Sequence, residues 1–493
     1  MHLSTKQYFS IGFLFALACV MYGPVVNGFF VSDDFVFLYR IQQSGFVPYS
    51  GMFFRPASQL LLWLNYQLWH LNPQPYFIIS VCLHLFNTAL VFILSKKLSP
   101  TFLFYQNYIA ALLFMIYPFA CETIFWISAQ GVLVATSFIL LAIICHIKIE
   151  SSIFRSLCVT LFFGIALLFY ESAWCFPLLL IVYDYKVNCL SIKKILQRTA
   201  PAGVVFILYA IWRWIAVHQF FYDYGSKKSA FESLSLLPSH LLMLVGRSVM
   251  VPMQSTVMFV GFSCGVLLLL FFIFLATQRR NNISNNKPLL FVGLSFFVCL
   301  FPFITYGINI HNIEEGRYLY LSGIFLVLFL VMLLSKVIPS FANKYIFGVV
   351  SVCFIFLLNT YGNYWRSAYA ITNNYCEEIG RAKCDSLIGI NVPTDKYGAY
   401  IFRNGFEQCT NLFSKIHHAV VYNKAAIPPE ETFNSYETNK KKAQTNERAA
   451  GEMINDSITV FEKIKLLTIG NDSLYYNTNN IVVFERNKTI ILF

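Results

Sequence analysis

Phe30-Val31-Ser32-Asp33-Asp34-Phe35 sets two adjacent carboxylates just beyond the first long apolar run of the chain, Gln7 to Tyr22. Gly23-Pro24 ends that run, so a membrane helix should be emerging into water at this point. Adjacent carboxylates at a bilayer edge are costly unless solvated, paired or used, and ionisable groups there are functional candidates by default. A solvated loop that happens to carry Asp-Asp is the plain alternative. The rest of the chain decides between the two.

The 493 residues are 57% hydrophobic and 12% charged, with mean hydropathy +0.60. A soluble globular protein carries about 25% charged residues. The apolar excess falls in runs near the length that spans a bilayer core. After Gln7–Tyr22 they cover about Tyr76–Leu94, Phe102–Tyr117, Ile127–Ile147, Arg155–Phe169 and a run ending near Tyr185. Ala200–Val217, Val257–Thr277, Leu289–Tyr306, Tyr318–Ser335 and Tyr345–Tyr361 complete eleven expected helices. Ser58 to Leu71, with Trp63, Tyr66 and Trp69, reads as an amphipathic helix in the interface. A Lys before the first run and no small-residue cleavage site after it mark a retained helix. The expected fold is an all-α polytopic membrane protein. Residues 1–365 form its transmembrane part, with an extracytoplasmic loop over 24–75, and residues 366–493 form a small extracytoplasmic α/β domain.

The net charge of +12 does not point to nucleic acid, because the basic residues sit in short loops between apolar runs. Lys96-Lys97, Lys148/Arg155, Lys193-Lys194-Arg198, Arg279-Arg280-Lys287 and Lys336/Lys344 all fall on one side, which should be cytoplasmic. Asp33, Asp34, Arg55, Glu122, Glu171, Asp223, Glu232, Glu314, Glu315 and Arg317 fall on the other, with Glu150 and Asp184 the acidic exceptions. Separate extracytoplasmic loops therefore carry acidic groups that could converge. The tail alternates β-like runs with a charged stretch at 440–448; Asn455, Asn471 and Asn487 each begin a match to the N-glycosylation triplet, which an Asn-rich tail more readily yields by chance. Of the 13 cysteines, most lie in apolar runs, while one pair among Cys376, Cys384 and Cys409 could bridge if the tail is extracytoplasmic. No Cys/His cluster has zinc spacing.

A carboxylate in that position, backed by arginines, suits group transfer from a donor carried in the bilayer. The acceptor hydroxyl needs a base, and the departing lipid phosphate needs cations. Asp33 or Asp34 fits the first role; Arg317, Arg55, Arg213 and Arg247 are candidates for the second. The plain reading of Arg213 and of Arg247 is snorkelling at a helix end, Arg213 beside Trp212 and Trp214. For Arg317 it is an ion pair with Glu314 or Glu315.

At this point the motifs acquire a family likeness. Asp33-Asp34 after the first helix resembles the acidic motif of the GT-C superfamily of membrane glycosyltransferases. Phe54-Arg55-Pro56, Leu64-Asn65-Tyr66, Trp69, Asn72-Pro73, Tyr76, His84 and Asn87 resemble the first segment of protein O-mannosyltransferase-like enzymes. The likeness is to the membrane part of tetratricopeptide-containing transmembrane O-mannosyltransferases and their bacterial relatives. Tyr117-Pro118 with Glu122, Tyr170-Glu171, and Glu315-Gly316-Arg317-Tyr318-Leu319-Tyr320-Leu321 resemble later elements, in order, over roughly Ser32 to Ser322. The resemblance implies Asp33 as base, Asp34 in support, Arg317 at the donor phosphate and Glu122 on the acceptor side, with Glu171 and Glu315 lining the site. Three positions depart from the pattern: Gln130 replaces a basic residue, Tyr170 a Lys, and Gly316 separates Glu315 from Arg317.

The implied activity is an inverting hexosyl transfer from a polyprenyl-phosphate sugar to a protein, glycolipid or polysaccharide. The expected partners are that donor, membrane lipids and the acceptor, without nucleic acid. No cofactor is expected, although the Asp pair with Glu122 could hold a divalent ion. A bacterial inner membrane, with the N-terminus cytoplasmic and the C-terminus extracytoplasmic, is the expected location. A lipid-linked sugar flippase or transporter and a non-catalytic scaffold are the competing readings. Transporters bind near the midplane, often between repeats; no internal repeat is evident here.

Overall fold

In hydrocarbon every backbone N–H and C=O must be satisfied within the protein, so the apolar runs fold as helices. The computed structural model describes residues 5–49, 53–100, 102, 104–218, 230–280, 287–381, 386–390, 392–414, 418–421, 424–427, 451–455, 458–461, 466–469, 472–475, 481–485 and 488–492. Asp223, the side chain of Glu232, Cys384, the 440–448 stretch, Asn471, Asn487 and the triplet residues after Asn455 lie outside the described residues. The chain divides into two compact units, one of residues 1–28 and 44–362, the other of residues 29–43 and 363–493. The sequence reading had placed 24–75 wholly with the transmembrane part.

The helices run α1 (Thr5–Val26), α2 (Asp33–Ser44), α3 (Pro56–Trp69), α4 (Gln74–Leu98), α5 (Phe104–Met115), α6 (Glu122–Phe125), α7 (Gln130–Lys148) and α8 (Ser152–Phe169). There follow α9 (Phe176–Lys186), α10 (Ile192–Val217), α11 (Ala230–Arg247), α12 (Thr256–Arg280), α13 (Lys287–Leu300), α14 (Tyr320–Val337), α15 (Ser340–Ile379) and α16 (Phe406–Phe413). Among the described residues, 7 helices are long and apolar enough to cross a membrane: Gln74–Leu98, Ile127–Lys148, Ser152–Phe169, Ile192–Val217, Thr256–Leu275, Gly316–Val337 and Ala342–Ile379. Gly12–Val26 and Lys287–Phe303 are apolar but shorter. The chain is an integral, multi-pass membrane protein.

The other two expected spans fall short. The helix α5 has 12 residues and α9 has 11, roughly 17–18 Å at 1.5 Å per residue, against a core of about 30 Å. Pro118 stops the first and opens a tight 3-10 turn, Pro118–Ala120. The second is preceded by the 3-10 turn Glu171–Cys175, which takes the place of its first α-turns.

Polar side chains inside the first unit tie its helices together. The His84 ring on α4 sits 2.8 Å from the Tyr320 hydroxyl and 2.9 Å from the Met115 carbonyl. Asn87 donates to Leu133 O at 3.0 Å and accepts from Ser137 at 2.7 Å. Gln130 donates to Tyr76 O at 2.6 Å and to Ser80 at 2.9 Å. An unpaired amide or imidazole there would cost roughly 1–3 kcal/mol, so these positions are structural. Three motif positions of the sequence, His84, Asn87 and Gln130, thereby find a packing role.

In the second unit, the chain before and within α2 packs on the C-terminal part. Ser32 N–H donates to Ile401 O at 2.7 Å. Phe35 stacks on Phe402 with ring centroids 5.9 Å apart, and Tyr375 packs on Phe402 and Phe406, both at 5.2 Å. The strands are β1 (Ser386–Ile390), β2 (Val392–Lys396), β3 (Ala399–Tyr400), β4 (His418–Val421), β5 (Lys424–Ile427), β6 (Gly451–Asn455), β7 (Ile458–Phe461), β8 (Leu466–Ile469), β9 (Asp472–Tyr475), β10 (Ile481–Glu485) and β11 (Lys488–Leu492). They form sheets ordered β11-β10-β1-β4, β3-β2-β5 and β6-β7-β8-β9. In the first, β1 pairs parallel with both β10 and β4.

Gly405, just before α16, has φ +81°, and a Cβ there would strike Ser32 O. Gly405→Ala should therefore lower stability, by about 1–3 kcal/mol for the left-handed backbone alone, read as a lower Tm of the detergent-solubilised protein. Gly265→Ala, with open space around its Cβ, should leave the Tm unchanged or raise it.

Candidate active site

Two buried carboxylates in the first unit each hold an arginine. Glu122 opens α6 immediately after the Pro118–Ala120 turn, and its side chain has no exposed surface, while that of Arg317 is 15% exposed. Arg317 Nη1 donates to Glu122 Oε1, and the Arg317 backbone N–H reaches Oε2 at 3.4 Å. The guanidinium also lies over the Trp126 ring at 5.2 Å and the Tyr318 ring at 4.8 Å. This approach depends on Gly316. Any Cβ at Gly316 would lie 2.6 Å from Phe119 O, so the residue that departs from the family pattern lets Gly316–Leu319 turn against the loop that carries Glu122. Glu315 before it takes φ +66°.

Arg55, at the N-terminus of α3, meets Glu171 of the 3-10 turn before α9 in a bidentate pair. Its Nε lies 3.0 and 2.9 Å from the two carboxylate oxygens, and Nη2 lies 2.8 Å from Oε2. Arg213 on α10 approaches Glu171 Oε1 at 3.8 Å. Arg213 is 1% exposed and packs over Trp174 at 5.3 Å. The snorkelling expected for Arg213 is therefore corrected: the side chain turns inward because a buried carboxylate waits for it.

An aromatic ladder connects the two pairs. Arg55 lies 4.2 Å over Tyr170; Tyr170 meets Phe303 at 6.4 Å; Phe303 stacks on Tyr318 at 4.5 Å and 15°; and Tyr318 carries Arg317. Arg55, Glu122, Glu171 and Arg317, expected on separate loops, thus form two ion pairs within this unit. Arg247 enters through the same region. It donates to Asn309 O at 3.0 Å and Met250 O at 3.3 Å and is buried, not snorkelling. Asn309 N–H in turn donates to Glu315 at 2.7 Å. Burial pushes the Glu315 carboxyl above its ordinary range, opposed by the nearby Arg317 charge. Arg317 pairs with Glu122, a partner that the sequence reading had not offered, and its charge also reaches Glu315.

In the second unit, Asp33 and Asp34 occupy the first turn of α2, where the helix N-terminus favours negative charge. Asp34 is 1% exposed and accepts the Val31 N–H at 3.1 Å. Asp33 is half-buried, and the Asn404 side-chain amide donates to its Oδ1 at 2.7 Å. Ser32, between them and the membrane helix, has φ +50°. Among the described residues, no group of three or more His, Cys, Asp or Glu is arranged to hold a metal ion. Sequence reasoning missed Asn404, Phe303 and Trp126 as members of these clusters. Trp126 and Tyr318 are legible afterwards as aromatic residues flanking motif charges; Asn404 carries no local signal.

No family model matches the chain. A curated relative, the protein O-mannosyl-transferase F38B6.6 of Caenorhabditis elegans, is 30% identical over 96 residues, or 19% of this chain and 14% of that protein. The match therefore spans only a small part of the relative's length. Among solved structures, the apo crystal structure of ArnT from Cupriavidus metallidurans is similar at TM-score 0.47 and 14% identity, covering 77% of this chain and 72% of that one. ArnT bound to undecaprenyl phosphate gives TM-score 0.43 at 13% identity over the same shares. The ordered motifs and the local match together show a resemblance to GT-C membrane glycosyltransferases.

Removing one member of a buried ion pair leaves an uncompensated charge, which typically costs about 3–5 kcal/mol. Glu122→Gln should lower the Tm by the larger amount, because Glu122 has no exposed surface. Gly316→Ala should lower it too by separating the same pair. An unchanged Tm in both variants would show that the pair does not hold these loops.

Proposed function

We propose that this chain is a glycosyltransferase that moves a hexose from a polyprenyl-phosphate donor to an extracytoplasmic acceptor with inversion. The observation that carries the reading is the pair of partly exposed guanidiniums, Arg55 and Arg317, each fixed from behind by a buried glutamate and joined through Tyr170, Phe303 and Tyr318. A guanidinium held in place by a buried carboxylate suits a phosphate better than a mobile lysine does, because the fork matches the phosphate oxygens. The local likeness to an O-mannosyl-transferase supports a sugar as the transferred group.

In this reading Asp33 is the general base. The Asn404 amide holds Oδ1, and Oδ2 accepts the proton of the acceptor hydroxyl. The hydroxyl oxygen then bonds to the anomeric carbon from the face opposite the leaving phosphate, which inverts the configuration. The bond between that carbon and the phosphate oxygen breaks, and the electron pair leaves with the lipid phosphate. Arg317 and Arg55 are assigned to the charge that grows on that phosphate. Glu122 and Glu171 are positioning residues that orient the two arginines. Asp34 holds the loop that presents Asp33. Extracytoplasmic placement of Asp33 and of the C-terminal unit, a cytoplasmic N-terminus and a bacterial inner membrane belong to the same proposal.

Full-length protein in membranes would be given radiolabelled polyprenyl-phosphate mannose and, separately, the glucose analogue. Consumption of one donor is expected. Asp33→Asn should retain its Tm and elution volume and lose at least about 10²-fold in rate, the lower end of what a general base contributes. Undiminished transfer in Asp33→Asn would remove Asp33 from the mechanism. A folded wild-type protein that consumes neither sugar donor would sink the reading.

A further inference from the structure

At the end of the first unit that carries Lys148, Lys193 and Lys194, a cavity of about 460 Å³ opens between α7, α8 and α10. Its polar lining includes Ser152, Arg155, Ser156, Gln197, Arg198 and the buried His146. Asp184, the carboxylate beside it, has no exposed surface and does not line the cavity. Its Oδ1 is taken by Asn188 at 2.6 Å, Arg198 Nη1 at 3.0 Å and His146 Nε2 at 3.2 Å. The lining therefore presents two guanidiniums and no carboxylate. Arg198 Nε is buried with no hydrogen-bond partner among the described residues, and Arg155 makes only a 3.4 Å bond to Ile149 O. Both ions retain donors for an anion, beside the first turn of α8. Apolar side chains continue from the rim: Leu157 is 63% exposed and Leu161 61%, on a helix long and apolar enough to cross a membrane.

We propose that this cavity binds the phosphate headgroup of an anionic phospholipid, with Arg155 and Arg198 on the phosphate and an acyl chain along Leu157 and Leu161. Basic pockets between membrane helices commonly hold such headgroups. None of these residues has a role in the proposed transfer. The test uses full-length protein in a neutral detergent, titrated with phosphatidylglycerol, phosphatidylcholine or inorganic phosphate. Phosphatidylglycerol should raise the Tm by several degrees, as a ligand of the folded state does, and phosphatidylcholine should not. Arg155→Gln should keep the lipid-free Tm and lose the shift. Equal shifts with both lipids, or a full shift in Arg155→Gln, would overturn the site. A full shift with inorganic phosphate alone would replace the lipid by a free anion.

In the second unit, Cys376 on α15 and Cys409 on α16 are both buried, with Sγ atoms 2.7 Å apart. Both are free thiols in the structure, separated by more than the about 2.05 Å of an S–S bond but in direct sulfur–sulfur contact. We infer that the two form a disulfide in the protein's own compartment. Two thiols give up two protons and two electrons to the disulfide of an oxidoreductase, which becomes a dithiol, and one S–S bond forms. The bridge would pin α16 to α15. The residues just before α16 include Asn404, which holds Asp33, so the same bond would steady the proposed base. Membranes would be prepared in the presence of an alkylating agent and the peptides mapped without reductant. A linked Cys376–Cys409 peptide is expected, absent in Cys409→Ser. Recovery of both cysteines alkylated before reduction, or a bridge to Cys384, would overturn the assignment.

Discussion

An arginine at the edge of a hydrocarbon-solvated bundle can be kept in one place only if its charge is matched where water cannot do it. Glu122 does this for Arg317 with no exposed surface of its own. Much of the geometry around it exists to permit the approach. The Pro118–Ala120 turn shortens α5 and delivers Glu122. Gly316 removes the Cβ that would strike Phe119 O. Trp126 and Tyr318 cover the guanidinium faces. A buried pair of this kind is a poor source of net stability, because desolvation offsets most of the attraction. Its value is orientation: a guanidinium so held cannot swing away.

The Arg55–Glu171 pair repeats the device with different elements, and Arg213 adds a second positive charge to the same carboxylate. Aromatic rings between the pairs, Phe303 stacked on Tyr318 and tilted against Tyr170, give apolar contact where a polar bridge would have needed satisfied donors in a low-dielectric setting. Elsewhere in the unit, polar side chains are used for packing. His84, Asn87 and Gln130 cross-link helices that otherwise meet only through hydrocarbon, where packing and hydrogen bonds are what distinguish one helix partner from another.

The adjacent carboxylates divide their labour. Asp34 is buried and bonded to the backbone that precedes its helix, while Asp33 remains half-buried under a single amide. Both benefit from the N-terminal end of α2. Residues 29–43 belong to the same compact unit as the C-terminal part, with Phe35 on Phe402 and Ser32 on Ile401. A segment that in sequence looks like a membrane loop is a structural member of a separate body.

Hydropathy alone was enough to read a multi-pass helical protein and the order of its apolar runs, because a bilayer imposes length and polarity on every span. Charge segregation pointed to the loops that carry Arg55, Glu122, Glu171 and Arg317, and the tertiary structure joins those four as two ion pairs within one unit. Helix lengths were less legible: α5 stops before Pro118 and α9 begins only after the Glu171–Cys175 turn, where local backbone geometry overrides an unbroken apolar pattern. Which carboxylate meets which arginine was decided only in three dimensions. Arg317 pairs with Glu122, nearly 200 residues away, a contact that nothing around Arg317 in the sequence announces. Asn404 on Asp33 is the same case across 371 residues. Pairing follows from which side chains share a desolvated space, and that depends on the packing of whole elements, which no local pattern of residues encodes.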